Sequence, residues 1–271
     1  MTLSLTPLRH RLIRSMGIAR SLIIYWRPGR QRSLRRLYAD FVGPGDLAFD
    51  VGAHLGDRTA AFQALGARVV ALEPQPGLYC CLVRLVGGRA GVTLRPWAAG
   101  ATPGEAELAV SDATPTVSTL AHEWRATIGG RNPGFRDVRW EGRQRVTVTT
   151  LDALIAEHGT PRFCKIDVEG FEAEVLAGLS HPLEGVSVEF VAGALEVAQQ
   201  CVTCLTELGD YRFNVIEGER RAFRWPAWRA ASATLEWLER GADGLASGDL
   251  YARLAAPNPL PSESTTREST P

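Results

Sequence analysis

Lysine is almost missing from this sequence. Of its 30 basic residues 29 are arginine, and the single lysine, Lys165, lies inside the strand-like run "FCKIDVEGFEAEVL" (163–176). Acid is missing from residues 1–39, which hold nine arginines, so the remainder carries 21 basic against 30 acidic residues. A body that acidic excludes a broad nucleic-acid footprint. Cysteine is sparse: Cys80, Cys81, Cys164, Cys201 and Cys204 form no disulfide framework. The C-x-x-C at Cys201 and Cys204 sits in a helical pattern with no second pair, which argues against zinc or redox chemistry. No window reaches the ~18–20 uninterrupted apolar residues of a membrane span. Arg14 and Arg20 interrupt the only apolar run near the N-terminus, so no signal peptide is read there. These absences together lead to the expectation of a cytoplasmic protein.

What is present falls into three parts. Residues 1–40 read as a basic helical segment with two alternatives: packing on the acidic body, which is favoured, or contact with an anionic membrane surface, at most weak. Residues 41–256 alternate strand-like and helical patterns. Residues 257–271, "PNPLPSESTTRESTP", are Pro/Ser/Thr-rich and predicted to be disordered. In the middle part strands are predicted at 46–52, 68–74, 92–100, 162–168, at "GVSVEFV" and at "YRFNVIEG", with helices between them. Extra strands are predicted at 104–112 and 143–151. This alternation predicts a doubly wound α/β domain with a mostly parallel sheet.

The turn "FDVGAHLGDRT" follows the first strand and opens the first helix. In such sheets ligands bind at the carboxyl ends of strands, where strand order reverses. Gly52 allows the tight turn and Gly56 a close approach to the helix start. The third glycine of the dinucleotide pattern is lacking, and Asp50 is a poor neighbour for a pyrophosphate but a good one for an ammonium or sulfonium. Glu73 ends the second strand, where a carboxylate can accept both hydroxyls of a ribose. A nucleoside site without phosphates points to S-adenosyl-L-methionine.

Along the strand at 162–168, Lys165, Asp167 and Glu169 alternate onto one side. A buried ammonium needs a partner, and Asp167 is the nearest. Arginine's wide fork does not suit a narrow strand environment. One reading is a purely structural ion pair; the other puts the pair beneath the transferred methyl group, with an acid placed to take the acceptor's proton.

The strings "KIDVEGFEAEVLAGL", "FDVGAHLGDRT" and "VTTLDALI" closely resemble the FkbM family of S-adenosylmethionine-dependent methyltransferases, over about residues 44–254. The six residues Lys165–Gly170 match its most specific string. Asp50, Gly52, Ala53, Gly56 and Thr59 match its glycine motif, while His54 stands where asparagine is common. The resemblance implies a Rossmann-like methyltransferase fold with a closing antiparallel strand at "GDLYARL" and a β-hairpin/lid insertion. It also implies O-methylation of a small molecule, natural product or glycan.

The expected cofactor site is therefore Asp50, Gly52, Ala53, His54, Gly56, Thr59 and Glu73. The expected catalytic group is Lys165, with Asp167 or Glu169 as base. A variant places Mg²⁺ between Asp167 and Glu189, two ligands being too few to claim it. The polar segment 119–145, carrying Trp124, Phe135 and Trp140, is expected to be a lid over the acceptor. Two rivals stand: a nicotinamide-dependent oxidoreductase, disfavoured by the missing glycine, and a catalytically silent binding or membrane-associated scaffold.

Overall fold

The computed structural model describes residues 6–255, so the stretch 257–271 lies outside the described residues. Two helices come first, α1 (Thr6–Tyr25) and α2 (Arg30–Tyr38), parted at Gly29, whose φ of 84° lies in the left-handed region that favours glycine. Strand and helix then alternate through β1 (Leu47–Val51), α3 (Asp57–Ala64), β2 (Arg68–Leu72), α4 (Pro76–Val86) and β3 (Val92–Arg95). Next come β4 (Trp97–Ala99), β5 (Gly104–Val110), α5 (His122–Arg131) and β6 (Gly142–Thr149). The chain continues through α6 (Leu151–His158), β7 (Phe163–Ile166), α7 (Glu172–Leu176), β8 (Gly185–Val191), α8 (Leu195–Leu208) and β9 (Tyr211–Glu217). It closes with β10 (Arg229–Ala230), α9 (Ala231–Glu239) and β11 (Ser247–Leu254).

The main sheet has the order β10-β9-β11-β8-β7-β1-β2-β3. Strands β3, β2, β1, β7 and β8 run parallel, while β11 inserts antiparallel between β8 and β9. This is the expected doubly wound sheet with its closing strand. Strand alternation sorts side chains onto two covered faces. Phe49, Cys164 and Leu250 pack with residues of α6 to α9, whereas Ala48, Phe163 and Tyr251 pack with Leu34, Leu37 and Tyr38 of α2 and Phe62 of α3.

The expected single strand at 92–100 is two strands in two sheets. Pro96 has no N–H for a ladder and separates β3, on the edge of the main sheet, from β4. Strand β4 instead joins β6 and β5 in a three-stranded sheet, with β5 and β6 antiparallel as a hairpin would be. Between them the segment 119–145 is not a loop: it holds α5, whose Trp124 is buried. β10 and α9 were not legible as separate elements.

Candidate active site

Strand order reverses at β1, which has β2 on one side and β7 on the other, so the crevice opens beyond the carboxyl ends of these parallel strands. A pocket of about 940 Å³, its open mouth included, lies there. Gly52, Ala53, His54 and Glu73 line it from the β1 and β2 side, and Asp167 and Glu169 from the β7 side. Arg58, Glu189, Glu219 and Tyr25 complete its charged and phenolic wall.

Gly52 is required twice over. Its φ is 81°, and a side chain on it would collide with the carbonyl oxygen of Asp167. The next turn residues are held by Glu73, which is 4% exposed. One of its oxygens accepts the backbone N–H of His54 at 2.9 Å and the other that of Gln75 at 2.8 Å. Each keeps a lone pair for a ligand hydroxyl. Burial outweighs these two bonds and pushes the Glu73 carboxyl up to about 8. His54 adopts a φ of 51°, and burial lowers its imidazole to about 4, so the ring is neutral. Its Nε2 is buried and has no hydrogen-bond partner among the described residues.

Asp50, Gly56 and Thr59 sit behind this wall rather than in it. Asp50 is 1% exposed and accepts a hydrogen bond from the hydroxyl of Thr59, itself fully buried. Burial pushes Asp50 up to about 6. Gly56 lies against Leu82 and Val86 of α4, which leave no room for a side chain. These three residues shape the turn from beneath, without reaching the pocket.

Lys165 has no exposed surface at all. Its Nζ donates to Asp167 Oδ2 at 3.0 Å and to Asp249 Oδ1 at 3.2 Å. Burial works against the ammonium, but the two carboxylates prevail and hold its pKa well above the usual value. Asp249 comes from β11, 84 residues away, and the sequence reading did not include it. Asp167 feels burial pushing upward, which Lys165 and then Arg58 outweigh, so its carboxyl stays well below the usual range.

Glu169 differs in every respect. Its φ of 57° turns it out of the strand, and its carboxylate has no cationic partner among the described residues. Burial, then the charges of Asp167 and Glu172, push its pKa well above the usual value. Burial, Asp167 and Glu169 do the same to Glu189. Glu172, another residue missed in the sequence, fixes this turn: it is 2% exposed and accepts the backbone N–H groups of Val168 and Gly170, each at 3.0 Å. Thr119 donates its hydroxyl to the Glu169 carbonyl oxygen at 2.7 Å, tying the turn to the insertion. Beside it Trp124 packs so closely on Gly170 that no side chain fits there.

The N-terminal helices reach the same pocket. Tyr25, the last residue of α1, meets the His54 ring edge-on, with centroids 5.0 Å apart. Trp26 Nε1 donates to the Leu55 carbonyl oxygen at 3.1 Å. Arg30, 3% exposed, donates to Asp57 and to Glu219, each at 2.6 Å.

A doubly wound sheet with one antiparallel strand threaded between its last two long neighbours, and an acid-ended second strand facing a glycine turn, defines a Rossmann-like methyltransferase domain. Residues 50–241 match the methyltransferase FkbM domain, and the chain belongs to that family of S-adenosylmethionine-dependent methyltransferases. A curated relative, the hexuronic acid methyltransferase AglP of Haloferax volcanii, is 27% identical over 168 residues, covering 60% of this chain and 63% of that protein. Among solved structures, the precorrin-6y C5,15-methyltransferase of Geobacter metallireducens GS-15 aligns with a TM-score of 0.45 at 12% identity, over 83% of this chain and 87% of that one. A TehB-like SAM-dependent methyltransferase of Corynebacterium glutamicum aligns with a TM-score of 0.42 at 10% identity, over 82% and 88%. The strand order, rather than these alignments, carries the assignment of the fold.

Proposed function

We propose that the protein is an O-methyltransferase that methylates a hydroxyl of a small molecule, natural product or glycan, using S-adenosyl-L-methionine. The observation that carries this reading is the meeting, in one pocket, of an acid fixed for a ribose and a carboxylate without a cation. The first is Glu73, held by two backbone N–H groups; the second is Glu169, on the turn beyond Lys165 and Asp167.

The residues fit the cofactor. Glu73 offers its free lone pairs to hydroxyl hydrogens, Gly52 and Ala53 leave the turn open, and the buried, unpartnered Nε2 of His54 can accept one further hydrogen bond. Held by these residues, the cofactor would supply an electrophilic methyl group for the acceptor oxygen. The chain's own residues have to position that oxygen and accept its proton. Asp167 is the weaker base, because Lys165 holds it ionised and satisfied. Glu169, which has no cation, is the stronger base of the two, and accepts the acceptor's proton once it has lost its own. Lys165 acts through Asp167, fixing a negative charge beside the reacting centre. A sugar is the favoured class of acceptor, since the relative named above acts on a hexuronic acid.

One observation favours a metal-assisted version. Asp167, Glu169 and Glu189 each offer a carboxylate oxygen within 4.8 Å of the others. Three hard oxygens suit Mg²⁺ better than the two weighed from sequence, and the ion would supply charge stabilisation to the acceptor oxygen. The deciding experiment for the whole reading is incubation with methyl-labelled S-adenosyl-L-methionine and a metabolite extract. Label appearing on an alkali-stable ether of a hydroxyl compound is the expected outcome. No labelled product, with no binding of the cofactor, would overturn it.

A further inference from the structure

The outer face of α1 carries a pattern that the site does not use. Four large hydrophobic side chains are recorded as exposed among the described residues, and three of them lie on this helix. Met16 is 65% exposed, Ile23 74% and Ile24 39%. Arg20 is exposed between them, so positions 16, 20, 23 and 24 fall on one stripe of the helix, and Arg27 is exposed in the turn that follows it. The opposite face is occupied. Gly17 packs against Pro115, where a side chain would come within 2.9 Å, Arg14 pairs with Asp112 at 2.7 Å, and Ser21 is buried.

Charge follows the same division. Arg14 and Arg30 of this segment are paired with carboxylates of the domain. Arg20, Arg27, Arg32, Arg35 and Arg36 are exposed, and no carboxylate pairs with any of them among the described residues. With no acid anywhere in residues 1–39, nothing on the segment offsets them. The sequence left packing on the domain and contact with a membrane as alternatives. In the folded protein the two belong to opposite sides of one helix.

We propose that α1 and the exposed arginines of α2 form a docking surface for an anionic lipid bilayer. Met16, Ile23 and Ile24 would enter the boundary between headgroups and acyl chains, and the five arginines would meet the headgroup charge. Exposed apolar side chains and unpaired basic charge on one contiguous segment, α1, the turn after it and α2, together give interfacial binding, which neither gives alone. No helix among the described residues is long and apolar enough to cross a membrane, so the attachment is peripheral. Because Tyr25 ends this helix and lines the pocket, docking would bring the mouth of the site to the bilayer surface.

The test uses the full-length chain and sedimentation with vesicles of phosphatidylcholine, with and without phosphatidylglycerol. Binding is expected only to the vesicles containing phosphatidylglycerol, and to be lost as salt is raised toward 0.5 M, about where screening is nearly complete. The paired substitutions Ile23→Ser with Met16→Ser, and Arg20→Glu with Arg27→Glu, alter exposed side chains. Each pair is expected to weaken binding about tenfold or more, with unchanged melting temperature. No binding of the wild type to phosphatidylglycerol vesicles would overturn the proposal. So would binding that the arginine pair abolishes but the apolar pair leaves intact, since that describes a surface for polyanions in general. The readout involves no cofactor, so its failure would leave the methyltransferase reading standing, and the converse holds equally.

Discussion

Lys165 and Asp249 lie 84 residues apart in sequence, yet their side chains meet at 3.2 Å with Asp167 as the third member. One cation thus holds together the end of β7 and the middle of β11. Removing it with Lys165→Met leaves two carboxylates facing each other, which should cost about 3–5 kcal/mol of stability. Urea unfolding is the measurement, and adding Asp249→Asn should restore part of the loss.

The same lysine should matter to turnover through Asp167. Lys165→Arg keeps the charge, but the wider guanidinium does not fit a side-chain site with no exposed surface. It is expected to bind S-adenosyl-L-methionine nearly normally and to lose at least tenfold in kcat, ~1.4 kcal/mol of transition-state stabilisation. Full activity in Lys165→Arg would reduce the lysine to a structural part.

Glu73 gives cofactor binding a pH dependence of definite sign. With burial raising its carboxyl to about 8, it carries a proton at neutral pH in the empty pocket, and the carboxylate is the form that accepts two hydroxyls. The affinity for S-adenosyl-L-methionine should therefore rise as pH increases toward 8 and level off above it. Titration calorimetry across pH 6.5–9 checks this. Glu73→Gln should flatten the profile, whereas a slope due to Asp50 or Glu172, raised to about 6 and about 7, would persist. Glu73→Ala should weaken binding by about 1.5–3 kcal/mol.

Gly52→Ala should fail for a reason that no ligand contact explains. The added methyl meets the Asp167 carbonyl oxygen, and the backbone there has a positive φ. Binding should be abolished and the melting temperature lowered, while Gly104→Ala, with open space around it, should leave both unchanged.

The metal-assisted version is checked by calorimetric melting with Mg²⁺ and with EDTA. Mg²⁺ should raise the melting temperature of the wild type but not of Glu189→Gln, which removes one of three oxygens. Equal melting in both conditions would remove the ion from the mechanism.

The parts of the site that lie within one strand and its turn were legible from sequence. Alternation along 163–169 was enough to put Lys165 beside Asp167, and the glycine spacing was enough to bring Gly52 and Glu73 to one pocket. What was not legible is what other elements bring. Asp249 depends on the register of β11 against β8, Tyr25 on where α1 lies, and Glu172 on side-chain bonds to backbone N–H groups. Pro96 was in plain view in the sequence, but the alternating pattern around it overrode its missing N–H, so two strands read as one. The polar composition of 119–145 likewise hid α5, because Trp124 and Ile128, its buried residues, are only two.

The insertion of β11 between β8 and β9 also bears on how the protein is made. Translation delivers this strand after every other described element, yet its place is in the interior of the sheet, not at the edge. Until it emerges from the ribosome, β8 and β9 lack the neighbour they share, and the ammonium of Lys165 lacks its second carboxylate. A nascent chain is thus left with a cleft in its sheet, open to strands of other chains. Nascent chains halted before residue 247 should accordingly be sensitive to protease and retained by chaperones, and release of the last strand is the event that closes the domain.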